Sequence, residues 1–176
     1  HTILLAPAGS APVYIWGEQT HNSTFRFLTF QGNYGLNGYG FEAGSTLSNY
    51  GAGGIFLQLA NGCHVEGIHG INAPQKVVGM NQCNHTRIFN CRSTRTESLG
   101  TYIQWDFQDA NGTDNHFYDC TFDGNFLCKA FESFGSVGDK FVRCGGRNCS
   151  FSINGAAGWL LDECYTTIEA LSWNND

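Results

Sequence analysis

Four acids in this chain have a spacing that suits chemistry on a polymer. Asp106 closes the strand-like run 101–105, and Glu132 closes the next such run, 127–131. Carboxyls at the ends of successive strands can stand at either separation used in glycoside hydrolysis. That separation is about 5–5.5 Å when one carboxyl is the nucleophile and about 6.5–9.5 Å when water attacks between them. Glu97 and Asp109, in the longest interval between repeats, make a second candidate pair. Elimination chemistry would instead need a base, for which Lys129, His116 or Tyr102 qualify. The plainer role for every one of these groups is a solvated or loop-anchoring side chain, since 15 acids on one surface bring some pair within reach by chance.

Alternation along a strand sorts the neighbours of these acids. With Ile103 and Trp105 inward, Tyr102, Gln104 and Asp106 face outward. In the next run either Lys129 and Phe131 face outward, or Cys128, Ala130 and Glu132 do. The first choice avoids burying an unpaired Lys. Tyr102, Gln104, Lys129 and Phe131 are therefore the expected ligand contacts, offering ring faces and hydrogen-bonding groups to a sugar.

The elements that must position these residues follow from composition and repetition. Of 176 residues only 14% are charged, against about 25% in an ordinary domain, while Gly numbers 23, Asn 16 and aromatics reach 14%. Disordered chains and helical bundles need other compositions. Net charge is -6, and the nine basic residues form no stripe, so nucleic acid is an unsuitable partner. No apolar run approaches the roughly 18 residues of a membrane span.

Eight cysteines supply the register. Four close segments that align without gaps: Ile88-Phe89-Asn90-Cys91, Phe117-Tyr118-Asp119-Cys120, Phe141-Val142-Arg143-Cys144 and Leu161-Asp162-Glu163-Cys164. Val65-Glu66-Gly67-Ile68 fits the same frame, as does Phe27-Leu28-Thr29-Phe30. From Val65 onward the steps are 23, 29, 24 and 20 residues, a range that signals stacked supersecondary units. No 3.6-residue periodicity lies between the frames, so the units are strands separated by Asn/Gly turns such as Asn61-Gly62 and Asn154-Gly155. Gly67, Asn90, Asp119, Arg143 and Glu163 become one-residue corners, and Cys91, Cys120, Cys144 and Cys164 an inward column. Cys128 and Cys149 make a second column. Their spacing lacks the paired ligands of a zinc site, so the thiols read as small core residues or as inter-coil disulfides, with no metal and no cofactor.

At these residues the chain resembles the right-handed parallel β-helix superfamily, which includes pectate lyases, polygalacturonases and bacteriophage tailspikes. The likeness is strongest over residues 54–170. It implies an all-β, single-stranded right-handed parallel β-helix of about six or seven coils, forming one domain over 1–176 with an inserted loop at 31–53. The polygalacturonase motifs are missing: Gly67-Ile68-His69-Gly70 displaces the histidine of a Gly-His-Gly, and there is no Asp-Asp pair. The Arg-x-Pro-x-x-Arg pattern of calcium-dependent pectate lyases is missing too. His1 suggests the copper brace of polysaccharide monooxygenases, but those are antiparallel sandwiches and the repeat demands stacked coils.

The expectation is a tailspike-like receptor-binding domain, at a virion surface or otherwise extracellular. It recognises a cell-surface polysaccharide and, if its acids are catalytic, depolymerises it as a glycoside hydrolase or polysaccharide lyase. Resemblance to tailspikes implies a homotrimer, and the lack of evident capping elements suggests a fragment of a longer spike or coils buried at their ends by other chains. The competing expectation is a non-catalytic structural spike or fibre segment. A secreted pectin-type lyase or hydrolase comes third.

Overall fold

Among the described residues, fourteen non-glycine residues hold a positive φ, and with the glycines beside them they divide each repeat into its parts. The computed structural model describes residues 2–5, 15–31, 54–72, 76–95 and 106–167. Within these, three ladders of left-handed corners recur. The first is Gln19, Leu59, Gln82, Asn111, Gly135 and Gly155. The second is Asn22, Gly62, His85, Asp114, Gly138 and Gly158. The third is Phe27, Gly67, Asn90, Asp119, Arg143 and Glu163. The left-handed region costs an L-residue roughly 1–2 kcal/mol, which is why Gly, Asn and Asp crowd these positions. The five expected corners all lie in the third ladder.

Between the second and third ladders run β3 (Thr24–Arg26), β6 (His64–Glu66), β9 (Arg87–Phe89), β12 (His116–Tyr118), β14 (Lys140–Val142) and β16 (Leu160–Asp162), a six-stranded sheet. After the third ladder come β4 (Leu28–Gln31), β7 (His69–Ile71), β10 (Arg92–Arg95), the starts of β13 (Thr121–Phe134) and β15 (Gly145–Asn154), and β17 (Tyr165–Thr167); β1 (Thr2–Leu5) pairs with β4. Before the first ladder stand β2 (Ile15–Glu18), β5 (Ile55–Gln58), β8 (Val78–Asn81) and β11 (Phe107–Ala110), followed by the ends of β13 and β15. Because β13 and β15 run through both rows, the two rows form one eleven-stranded sheet. Every paired strand is parallel, and the described residues contain no helix. The result is an all-β, solenoid-like curl of parallel sheet.

Like residues stack on like in the interior. Phe107, Phe131 and Phe151 stack at centroid distances of 5.1 and 4.7 Å, and Phe117 lies 4.8 Å from Phe141. Each such ring, once buried, contributes about 1.5–3 kcal/mol. Cys91, Cys120 and Cys144 are fully buried in the expected column, with Cys164 at its partly covered end. All seven described cysteines are free thiols, so the core reading holds for them and the disulfide reading does not. Their Sγ–H groups point at backbone carbonyls, as in Cys164 to Phe141 O at 3.2 Å and Cys83 to Leu57 O at 3.3 Å.

Two registers differ from the sequence expectation. Phe25, not Phe27, pairs with Val65, so the first frame shifts by two residues and Phe27 becomes an exposed corner. Phe107, not a residue of 101–105, pairs with Phe131. The strand of that repeat is therefore β11, and Asp106 precedes it.

Candidate functional site

The outer face of the sheet formed by β2, β5, β8, β11 and the end of β13 is the surface on which the sequence placed its ligand contacts. Side chains alternate along these strands. Ile15, Ile55, Val78, Phe107 and Phe131 point to the core, so Trp16, Phe56, Gly79, Gln108 and Glu132 form the first outward row. Gln58, Asn81, Ala110 and Phe134 form the next.

The first row is closed over from Phe56 onward. Phe56 and Trp16 meet at 5.1 Å between ring centroids, and Lys76 Nζ lies 5.5 Å over the Phe56 ring. Gly79 makes this possible: a Cβ there would come within 2.7 Å of the Lys76 side chain and 2.9 Å of the Phe56 ring. Gln108 donates its amide hydrogen to the Glu132 carboxylate. Burial pushes Glu132 above the ordinary carboxylate range, against the Gln108 hydrogen bond and the positive fields of Lys76 and Lys129. Burial also brings Lys76 down to about 8, and Glu132 opposes that shift. The row thus holds one acid whose pKa is raised and one ammonium whose pKa is lowered, both by loss of water.

The second row is open. Gln58 and Asn81 sit side by side in register, and Asn111 donates from Nδ2 to Asn81 Oδ1 at 3.3 Å. Trp16 at 38% exposure, Leu59 at 38% and Phe134 at 45% border this strip. Neutral amides beside exposed rings, without a dense charge, are groups that match sugar hydroxyls and the apolar faces of sugar rings.

The other expected site residues fall differently. Phe131 faces the core and is fully buried, so the outward choice made for it is corrected: pairing with Phe107 fixes its side of the sheet, and no ring face is left for a ligand. Glu132 is on the outer row instead. Lys129 is half-buried in a stretch of β13 whose register against β15 is irregular, which is why strict alternation failed there. Asp106 is fully buried, held by Arg95 Nη2 at 2.7 Å and Ser93 Oγ at 2.8 Å. Asp109 is also fully buried, on the inner face, where Asn115 Nδ2 donates to its Oδ2 at 3.0 Å. Burial, then the neighbouring Asp139, pushes Asp109 well above the ordinary range. Neither carboxyl reaches the solvent side. Glu97, Tyr102 and Gln104 lie outside the described residues.

Sequence reasoning missed Lys76, Gln108 and Trp16. Gln108 had a usable signal, since it sits one residue after Phe107 in a Phe-Gln-Asp-Ala run that β11 adopts. His116 occupies the six-stranded sheet, bonded to Asp114 and Tyr118. Among the described residues no three His, Cys, Asp or Glu side chains converge as metal ligands, and no helix is long and apolar enough to cross a membrane.

No protein-family model matches the chain, and no curated protein does. Among solved structures it is similar to a "putative glycosyl hydrolase" from Parabacteroides merdae, with 13% identity and a TM-score of 0.58, covering 93% of this chain and 82% of that one. A rhamnogalacturonan lyase matches at 10% identity and a TM-score of 0.30, over 88% of this chain and 46% of its own. The first shows a shared fold, which in this chain is an all-β, solenoid-like curl of parallel sheet.

Proposed function

We propose that this chain is a right-handed parallel β-helix of six or seven coils that serves as a tailspike-like receptor-binding domain. It recognises a cell-surface polysaccharide, works at a virion surface or otherwise outside the cell, and assembles as a homotrimer. The observation that carries the polysaccharide reading is the amide strip of Gln58, Asn81 and Asn111 bordered by Trp16 and Phe134. A parallel sheet repeats such groups at about 4.8 Å, a row suited to an extended, neutral-hydroxyl polymer. The fold shared with a protein described as a glycosyl hydrolase supports the same substrate class.

Of the four acids, Glu132 is the one on the outer row, where burial raises its carboxyl above the ordinary range, and the role proposed for it is that of a general acid. Glu97, Tyr102, Gln104 and Lys129 complete the proposed contact set. A purely structural spike segment is the second reading. It draws on Asp106 and Asp109, whose carboxyls serve interior contacts.

Affinity electrophoresis against a panel of bacterial capsular and O-antigen polysaccharides tests the proposal. Retardation by at least one polymer, weakened in Trp16→Ala, supports it. Unaltered migration across the whole panel leaves the structural reading. Falling viscosity or new reducing ends in the same mixtures adds depolymerisation.

A further inference from the structure

We infer that the amide strip holds its polymer along the solenoid axis, one sugar to each coil, and that this polymer is an uncharged, extended ribbon of 1,4-diequatorially linked pyranoses, the backbone type of β-1,4-glucans and β-1,4-mannans. The inference rests on the polysaccharide reading and adds to it a linkage class and an orientation.

The strip is longer and wider than the three amides that define it. Its strand column runs Glu18, Gln58, Asn81, Ala110, Phe134 and Asn154 in continuous register. Beside it stands the corner column of Gln19, Leu59, Gln82, Asn111, Gly135 and Gly155. Each corner donates its backbone N–H to the strand of the next coil, as in Gln19 to Gln58 O at 2.9 Å, Leu59 to Asn81 O at 3.0 Å, and Gln82 to Ala110 O and Asn111 to Phe134 O, both at 2.8 Å. Like positions therefore recur once per coil, at about 4.8 Å. Trp16 and Phe134 lie four coils apart, about 19 Å at that spacing, which leaves room for about five sugars between and under the two rings.

The amides on this strip are unspent. Gln19, Gln58, Gln82 and Asn154 are exposed or half-buried, and their side-chain amides bond no other described residue. Asn111 gives one N–H to Asn81, which leaves Asn81 Nδ2 and Asn111 Oδ1 for a ligand. Gly135 keeps that oxygen clear, since a Cβ there would come within 2.8 Å of it. Each amide offers donors and an acceptor together, the pair that neighbouring sugar hydroxyls need.

Orientation follows from what flanks the strip. A polymer laid across the strands would leave it within one coil, meeting the row closed by Lys76 and Phe56 on one side and the paired His85 and Asp114 on the other. A polymer laid along the axis meets a like group at every step. In a 1,4-diequatorial chain each sugar advances by about the length of its own ring, close to the coil spacing, and turns its hydroxyl edges to the two sides. Axial linkages curl the chain and 1,6 linkages loosen it, so neither keeps step with the coils.

Charge selects against acidic ribbons. Among the described residues Glu18, at one end, is the charged member of the two columns. The ion pairs Arg26–Glu66, Arg87–Asp114, Arg143–Asp119 and Arg147–Asp123 belong to the other faces and corners. A carboxylate on the polymer would lose water on the strip without gaining a cation, which is costly.

The test is affinity electrophoresis of the whole chain in hydroxyethylcellulose and glucomannan, against dextran and pullulan as neutral α-linked polymers and alginate as an acidic ribbon. At least one of the first two should retard the chain, and added salt should leave that retardation unchanged. Titration with the matching oligosaccharides should show affinity rising with each added sugar to about five units and then levelling. Gln58→Ala, with unchanged thermal melting, should weaken binding about 2- to 12-fold, while Lys140→Gln on the six-stranded sheet should bind as wild type does. Retardation by dextran, pullulan, alginate or the capsular and O-antigen panel without either neutral ribbon overturns the inference and leaves the polysaccharide reading standing. So does an affinity for the ribbon that stops growing at two sugars. No retardation by any of these polymers overturns both.

Discussion

Arg95 and Asp106 are bound to one another in the interior, Nη2 to Oδ1 at 2.7 Å, with side-chain exposures of 1% and 0%. Arg95 Nε also donates to the same carboxylate, at 3.0 and 3.2 Å. The pair joins the end of β10 to the residue before β11, across the segment that holds Glu97, Tyr102 and Gln104. Removing one partner leaves a buried charge uncompensated. Arg95→Met or Asp106→Asn should therefore destabilise the chain by about 3–5 kcal/mol, read from urea unfolding midpoints. The double change Arg95→Met with Asp106→Leu should recover much of that loss, since an apolar pair leaves no stranded charge.

Asp109 and Asp139 give the fold an unusual response to pH. Both are fully buried and both titrate above the ordinary range, chiefly through burial. Asn115 donates to Asp109 at 3.0 Å and Ser133 to Asp139 at 2.7 Å, and the two carboxyls interact with one another. A folded-state pKa above the unfolded value gives stability that is complete below the unfolded pKa and is lost as pH rises through the folded one. Asp139→Asn removes one of the two charges. Its denaturation midpoint should gain on wild type as pH rises from acid toward neutral, and the two curves should converge at low pH.

Leu59 occupies a corner, φ 53°, where its neighbours in the ladder are Gln, Asn or Gly. It is exposed. Leu59→Gly should relieve left-handed strain and stabilise the chain by about 1 kcal/mol, measured as a rise in thermal midpoint. The reverse experiment, Gly67→Val, should destabilise it. A Cβ at 67 would come within 2.6 Å of the Phe27 ring, and the backbone there has φ 64°.

The cysteine column should be chemically silent in the folded chain. Burial raises Cys120, whose neighbours in the column, Cys144 and Cys91, add to the effect, while the hydrogen bond with Cys120 draws the equally buried Cys144 down; outside the column, burial raises Cys83 to about 11. The nucleophilic form is the thiolate. A chromogenic thiol reagent should titrate few groups natively and many more in denaturant, without prior reduction.

Which parts of this structure were readable beforehand follows from how each part is encoded. The corner at Asn90, Asp119, Arg143 and Glu163 and the column at Cys91, Cys120 and Cys144 repeat once per unit, so alignment of the sequence against itself found them. The strand of the longest repeat was misplaced. The apolar run 101–105 looks like a strand, whereas β11 is Phe-Gln-Asp-Ala, with a buried acid in it that no alternation rule expects. Strict alternation sets Phe131 outward whenever Lys129 is spared from burial. The irregular register of β13 near Cys128 breaks the alternation between those two residues, so the cost of burying Lys129 never bore on Phe131. Lys76 was not legible at all, since it reaches the site from outside any strand, over a glycine on a neighbouring one. The Asp114–His116–Tyr118 alignment needs both the corner at 114 and the side of β12, and only His116 stood out by type.

Hydroxyl-radical footprinting tests the central claim most directly. A polysaccharide that retards the chain in affinity electrophoresis should protect Trp16 and Phe134 from oxidation while leaving the exposed Trp159 and Tyr165 as reactive as in the free protein. Equal oxidation of Trp16 and Phe134 with and without that polymer would contradict the account.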